Sequence, residues 1–458
     1  MGRIGESLRT RRRLLIAVAA ASLGIVCGYD LSNIAGALLF ISNEFNLTIR
    51  KQELLTTMVV IGQVCGALSG GVLANAIGRK KSMVLIVVSY ALFALLGAFS
   101  VSLPMLLLAR LLLGLTIGVA VVVVPVYIAE SAPAAVRGSL LTAYQLAIVS
   151  ALILGYLTGY LLAGTHSWRW MLGLAAVPAV LLLPLLIRMP DTARWYLLKG
   201  RVDDARRALL RVEPDAQVDA KLAEIGSAVS EGSGHSGGGF SEMLRRPYLR
   251  ATIFVVTLGF LIQITGINAI IYYSPRIFEA MGFTGNFALL ALPALVQVAG
   301  LAAVCTSLLL VDRLGRRPIL LSGIAMMIAA DIMLMAVFAQ GHLGGAGLVF
   351  GFAAVLLFII GYTLGFGSLG WVYASESFPS RLRSLGSSAM LTSNLVANAI
   401  IAAVFLSVLH SLGGARTFAV FAVLAVVAFG FVYRYAPETK GRQLEEISHF
   451  WENGGRWD

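Results

Sequence analysis

Three side chains that carry charge in water stand inside long apolar stretches of this 458-residue chain: Asp30, Arg110 and Asp331. Placing such a group in hydrocarbon is costly, and where one occurs it usually marks an ion pathway or a proton relay. An acid and an arginine together can switch a proton. Beside a guanidinium a carboxylate keeps its charge; buried and drawn away from the cation, a carboxyl group favours the neutral acid. A protein that changes the Asp30–Arg110 separation between two states therefore binds a proton in one and releases it in the other. A fixed salt bridge that merely ties two helices together is the competing reading, and both stand at this point. Asp331 has no matching cation in the sequence. It is expected to be a neutral acid, to face a helix bundle, or to bond a nearby Ser or Thr.

The elements that must position these groups are read from hydropathy. The chain is 58% apolar and only 13% charged, whereas soluble domains carry roughly a quarter charged residues. A helix needs about 20 residues to cross roughly 30 Å of hydrocarbon. Twelve segments meet that length: 14–40, 54–76, 82–102, 104–129, 139–163, 169–188, 250–279, 287–311, 318–340, 346–375, 385–410 and 416–435. The fold class is an all-α membrane protein. Arg11-Arg12-Arg13 ahead of an apolar run imitates a secretory signal, but the run continues to Phe40 and is long enough to span. The expected domains are 1–188, a first six-helix bundle; 189–249, a linker with short helices; 250–435, a second bundle; and 436–458, a tail.

An even number of spans places both termini on one face. With that face cytoplasmic, 29 of the 35 Lys and Arg lie inside, which sets the orientation by the positive-inside rule. The same clustering excludes nucleic-acid binding as the reason for the +12 net charge. Depth then bears on chemistry. Asp30 lies 16 residues past Leu14 on an outward-running helix, roughly 24 Å up at 1.5 Å per residue. Arg110 lies six residues past Pro104 on an inward-running one, roughly 9 Å below the outer end. Both fall in the outer third, so depth permits a pair. Cys27, Cys65 and Cys305 sit in apolar stretches without ligand or disulfide spacing and are expected to be packing residues. His235, in the linker SEGSGHSGGG, is expected to be solvated.

The two halves repeat. VYIAESAPAAVRGSL at 126–140 and VYASESFPSRLRSLG at 372–386 share Val, Tyr, Glu, Ser, Pro and Arg without gaps, and Gly78-Arg79-Lys80 echoes Gly315-Arg316-Arg317. Two pseudo-symmetric six-helix halves around a central site suggest alternating access by rocking.

These repeated motifs resemble those of the sugar porter family of the major facilitator superfamily. So do Gly28-Tyr29-Asp30, Arg110 in LARLLLG, Pro125 to Glu130, Trp168-Arg169-Trp170, Gln263 to Asn268, Tyr272-Tyr273-Ser274-Pro275, Asp312 to Arg317, Trp371, and Pro437-Glu438-Thr439-Lys440-Gly441 followed by Leu444-Glu445-Glu446-Ile447. The chain departs from the family pattern at Ile262, Gly300 and Ser368, at Asn75-Ala76, and at Pro190-Asp191-Thr192-Ala193-Arg194. The resemblance implies the major facilitator fold and import of a monosaccharide with a proton, Asp30 and Arg110 serving as the proton-coupling pair. It implies sugar contacts at Gln145, Gln263, Asn268, Trp371 and Asn394. These residue types suit a sugar, because amides both donate and accept to hydroxyls and an aromatic face covers C–H surface. A helix–helix hydrogen bond is the bland alternative for each amide, and the preferred one for Gln297 and Asn398. Tyr272 and Tyr273 either close the outer side or simply pack. Gly266, Gly365 and Gly367 are expected to let helices bend beside the site.

A cytoplasmic gate is expected from Arg79, Glu130, Arg137, Arg316, Arg317, Glu376 and Arg383, with plain orientation charges as the alternative. No phosphate loop, metal cluster or nucleophile constellation is present in the sequence, so enzymatic activity, cofactors and metals are not expected. The implied partners are a monosaccharide, a proton and the lipid bilayer, with no nucleic acid, in a chain working as a monomer in a bacterial plasma membrane. Rival readings are a passive sugar or polyol uniporter and a non-transporting membrane sugar receptor.

Overall fold

The computed structural model describes residues 20–453 apart from 133, 166, 211–214, 234–238, 247, 341–344, 380–381 and 443. Arg11 to Arg13 and His235 therefore lie outside the described residues.

Twelve helices among the described residues are long and apolar enough to cross a membrane. Numbered as spans 1 to 12, they are Ala20–Glu44, Ile49–Ile77, Arg79–Ala98, Leu103–Ser131, Leu140–Thr165, Trp168–Arg188, Leu249–Met281, Phe287–Val311, Arg316–Ala339, Gly345–Glu376, Arg383–Leu412 and Gly414–Tyr435. Span 2 begins five residues earlier than hydropathy alone places it. Its first turn carries Arg50, Lys51 and Glu53, and a helix continues into polar sequence as long as its hydrogen bonds and packing hold.

The spans divide into two compact units. Unit 1 comprises Met1–Asp30, Ile61–Ala151 and Arg169–Gly237; unit 2 comprises Leu31–Val60, Leu152–Trp168 and Gly238–Asp458. Spans 1, 2 and 5 are thus shared, and Asp30 is the last unit 1 residue of span 1.

In unit 1 the core gathers Cys27, Tyr90, Leu113, Ile117, Tyr127 and Met189 from several spans. Span 1 lies backbone to backbone on span 5: a Cβ at Gly28 would run into the Ile148 carbonyl. That close approach fixes the helix on which Asp30 sits, two residues on. On the linker side, Val202–Leu210 and Asp215–Ser233 are helices, and Ala205, Leu209 and Val218 bury against Ala193 in a small satellite core.

Among the described residues, two spans of unit 2 are interrupted along their length, and span 8 opens on a π-helical segment at Phe287–Ala291. Span 7 runs as Leu249–Ile264 and Ile267–Met281, broken at Thr265-Gly266. Gly266 has φ +103°, a left-handed conformation that favours glycine, and a Cβ there would meet the Phe421 ring at 2.9 Å. Span 10 carries a π-helical segment at Thr363–Gly367, which contains Gly365 and Gly367. A tail helix at Leu444–Glu452 packs Trp451 on Phe254 with ring centroids 5.0 Å apart.

Candidate functional site

Span 1 and span 4 bring Asp30 and Arg110 together: Arg110 Nη1 donates to Asp30 Oδ1 at 2.6 Å. Their side chains are only 3% and 2% exposed. The pair is single-pronged. Asp30 Oδ2 and Arg110 Nε are buried without a hydrogen-bond partner among the described residues. One carboxylate oxygen is thus left as an open acceptor beside the bond, where a proton can add. The hydroxyl of Tyr90, on span 3, is fully buried, without a hydrogen-bond partner among the described residues, and within electrostatic range of both charges. No motif or spacing in the chain points to this tyrosine. Asp331, on span 9, is wholly buried, and neither carboxyl oxygen has a hydrogen-bond partner among the described residues. No Ser or Thr bonds it.

Four of the five sugar-type residues lie in unit 2, and Gln145 lies half-buried in unit 1. The break in span 7 positions two of the four. Gln263 sits just before it and Asn268 just after, the latter 7% exposed. Gln263 Nε2 donates to Asn394 Oδ1 on span 11 at 3.1 Å, and Asn394 Nδ2 donates to the Gly259 carbonyl at 3.3 Å. Gln263 Oε1 is left buried without a hydrogen-bond partner among the described residues. The two amides therefore hold each other and keep a spare acceptor. Trp371, on span 10, has 42% of its surface exposed. Ile262 points elsewhere: a Cβ at Gly370 would meet its Cδ1 at 2.5 Å, so this departure from the family pattern is used for packing on span 10. Asn398 donates to Tyr272 Oη at 3.2 Å, a helix–helix bond between spans 11 and 7, and Tyr273 Oη donates to the Ala402 carbonyl at 2.8 Å.

The residues expected at the cytoplasmic face make ion-pair and capping contacts within each unit. In unit 1 Arg79 bonds Glu130, with Nε 3.0 Å from Oε2, and Glu130 also accepts from Thr192 Oγ1 at 2.7 Å. Asp191 Oδ1 accepts from the backbone N–H of Arg79 at 3.0 Å and of Thr192 at 2.9 Å. In unit 2 Glu438 accepts from the backbone N–H groups of Arg316 and Arg317, each at 3.0 Å. Both acids cap the bare amide end of a helix that starts after a positive-φ glycine, Gly78 or Gly315. Such amide ends attract negative charge. The side chain of Arg137 lies outside the described residues. Among those described, no ion pair joins Glu376 to Arg383. Asp191, Thr192 and Glu438 escaped the sequence reading of this face. The paired glycine-arginine turns were the available signal, since each exposes amides that need an acceptor.

Known proteins match along nearly the whole chain. The family model described as sugar (and other) transporter matches residues 16–451. The galactose-proton symporter of Escherichia coli K12 is 36% identical over 430 residues, covering 93% of this chain and 92% of that protein. The arabinose-proton symporter of the same strain is 34% identical over 448 residues, covering 96% and 94%. The inward-open structure of the xylose transporter XylE from Escherichia coli superposes with a TM-score of 0.82 at 24% identity, covering 96% of this chain and 100% of that one.

Proposed function

The chain belongs to the sugar transporter family of the major facilitator superfamily, an integral membrane protein and not an enzyme, and we propose that it imports a monosaccharide with a proton by alternating access. The observation that carries the coupling is the buried, single-pronged Asp30–Arg110 bond with an open carboxylate oxygen. With the bond made, Asp30 is a charge neutralised by its neighbour. A proton on Asp30 releases Arg110 and removes the cost of separating two buried charges. The two conformations then differ in proton affinity, which links the gradient to the substrate.

Gln145, Gln263, Asn268, Asn394 and Trp371 receive the sugar. Its hydroxyls meet the spare Gln263 acceptor and the amide edges, and its C–H face lies on the exposed Trp371 ring. Hexoses and pentoses both fit this chemistry, and the relatives named above take galactose, arabinose and xylose. The contacts of Arg79, Glu130, Asp191 and Thr192, and of Glu438 with Arg316 and Arg317, steady the inner helix ends as the inside opens and shuts, with Arg137, Glu376 and Arg383 as further gate residues of this reading. The chain works as a monomer in the lipid of a bacterial plasma membrane, termini cytoplasmic.

The energy suffices. One charge crossing 100 mV is worth about 2.3 kcal/mol, which sustains roughly 40- to 50-fold accumulation of a neutral sugar. Uptake of labelled hexoses and pentoses into proteoliposomes is expected to exceed equilibrium only with an inward proton gradient. Equilibration unaffected by a protonophore would make the chain a passive carrier instead.

A further inference from the structure

Spans 1, 2 and 5 change company along their length. Residues 31–60 and 152–168 cluster in unit 2 with spans 7 to 12, whereas the rest of those spans belong to unit 1. Polar contacts as well as apolar ones join these segments to the later spans. Glu53, near the start of span 2 and 2% exposed, accepts at both oxygens from a single residue of span 11: Oε1 from Ser407 N–H at 2.6 Å and Oε2 from Ser407 Oγ at 2.7 Å. No ion pair to Glu53 exists among the described residues. A few residues away, Arg276 of span 7 donates through Nη2 to Ser42 Oγ of span 1 at 2.7 Å and to Gln52 Oε1 of span 2 at 3.2 Å. Tyr156 of span 5 donates to the Ile271 carbonyl of span 7 at 2.5 Å. Between these bonds Ala35, Tyr156 and Ala294 form a small dry cluster.

A buried carboxylate whose partners, among the described residues, are all on another helix is not there to stabilise its own. Leaving it unmade strands a charge, so the arrangement has two states, fully bonded or hydrated, with little between. We infer that the Glu53–Ser407 bond is the latch of the outer side, a two-point clasp between spans 2 and 11 that must break before substrate enters from that face. Arg276 is its second clasp, on spans 1 and 2. The assignment of this face as outer rests on the proposed function and its orientation; the latch itself does not.

The three variants grade the clasp. Ser407→Ala removes the hydroxyl bond and keeps the amide one. Glu53→Gln keeps an acceptor for Ser407 N–H but loses the charge that strengthens both bonds. Glu53→Ala removes everything. A latch holds the protein away from the state that binds from its own side, and apparent affinity falls by the fraction of molecules so held. Opening it lowers KM on that side, slows reclosure and so lowers Vmax, in the order Glu53→Ala, Glu53→Gln, Ser407→Ala. A reduction of KM by about three- to tenfold is expected for Glu53→Ala. Right-side-out and inside-out membrane vesicles carrying the full chain separate the two faces. A purely structural bond would reduce Vmax or protein amount without lowering KM on either face, and that result overturns the latch. A fall in KM on the opposite face keeps the latch and reverses the orientation.

A second readout needs no transport. Ala35→Cys, made with Cys65 and Cys305 replaced by Ser, sits in the dry cluster at 2% exposure. A membrane-impermeant maleimide is expected to label it severalfold faster when Glu53→Ala or the mild Ser407→Ala is added. Equal rates would refute the latch even if the chain moved no sugar at all, whereas absent uptake with accelerated labelling would refute only the transport reading.

Discussion

Asp30 and Asp331 are the same side chain, buried to the same degree at comparable depth, in opposite company. Asp331 lies 15 residues beyond Arg316, roughly 22 Å along its helix, close to the depth of Asp30. Asp30 bonds an arginine at 2.6 Å and keeps one oxygen open; Asp331 has neither cation nor hydrogen-bond donor among the described residues. Under the proposed coupling, the difference separates a switch from a passenger. A carboxylate beside a cation stays ionised at little cost and answers to any motion that changes their separation. A lone buried carboxyl is cheapest as a neutral acid and has nothing whose movement it could report. Under the same proposal, polar recognition in unit 2 is left to neutral amides, whose hydrogen bonds can be exchanged for those of a neutral substrate.

The strongest way to break this contrast is to make Asp30 resemble Asp331. Arg110→Leu strips the cation and is expected to destabilise the protein by about 3–5 kcal/mol, with coupled uptake lost; thermal unfolding in detergent and uptake measure both. Unchanged stability would mean the pair is not buried as described. Asp30→Asn is gentler. It is expected to retain sugar exchange while losing the roughly 40- to 50-fold accumulation that a 100 mV gradient supports, and full accumulation by this variant would move the proton to another group. Gln263→Ala and Asn394→Ala sharpen the unit 2 side. Each is expected to weaken sugar binding by about 1–3 kcal/mol, the cost of stranding the other amide, as read by calorimetry. Binding unaltered in both would place the sugar elsewhere. The smallest effect belongs to Asp331→Asn. Accumulation and sugar affinity are expected within about twofold of the unaltered protein, less than 0.5 kcal/mol; loss of accumulation here would invert the comparison.

Much of this was legible residue by residue. Span lengths follow from apolar runs, because the bilayer imposes one requirement on every residue in turn. The depth of Asp30 and Arg110 followed from counting along two helices of opposite direction, which allowed a pair without choosing between a meeting and a miss. Gly266 and the π-segment around Gly365 were expected as weak points and coincide with two of the interruptions in unit 2, whereas the kink at Tyr273 and the π-segment Phe287–Ala291 were not foreseen. The tail helix that carries Trp451 was not foreseen. Its nine residues are too few for a periodic pattern to stand out, and its apolar face has meaning only against Phe254, nearly 200 positions earlier.

What the sequence determined by itself was therefore the membrane class, the number of spans and the identity of the residues able to hold charge or bind hydroxyls. Those properties are local: they depend on a side chain and its near neighbours along one helix. Which acid meets a cation, which acid caps a distant turn, and which helix ends change partners were decided only in three dimensions. Asp191 reaches back 112 positions, Glu438 reaches back 122 and Glu53 reaches forward 354. A carboxylate is satisfied by whatever donor the packing brings within 3 Å, and separation along the chain sets no limit on which donor that is.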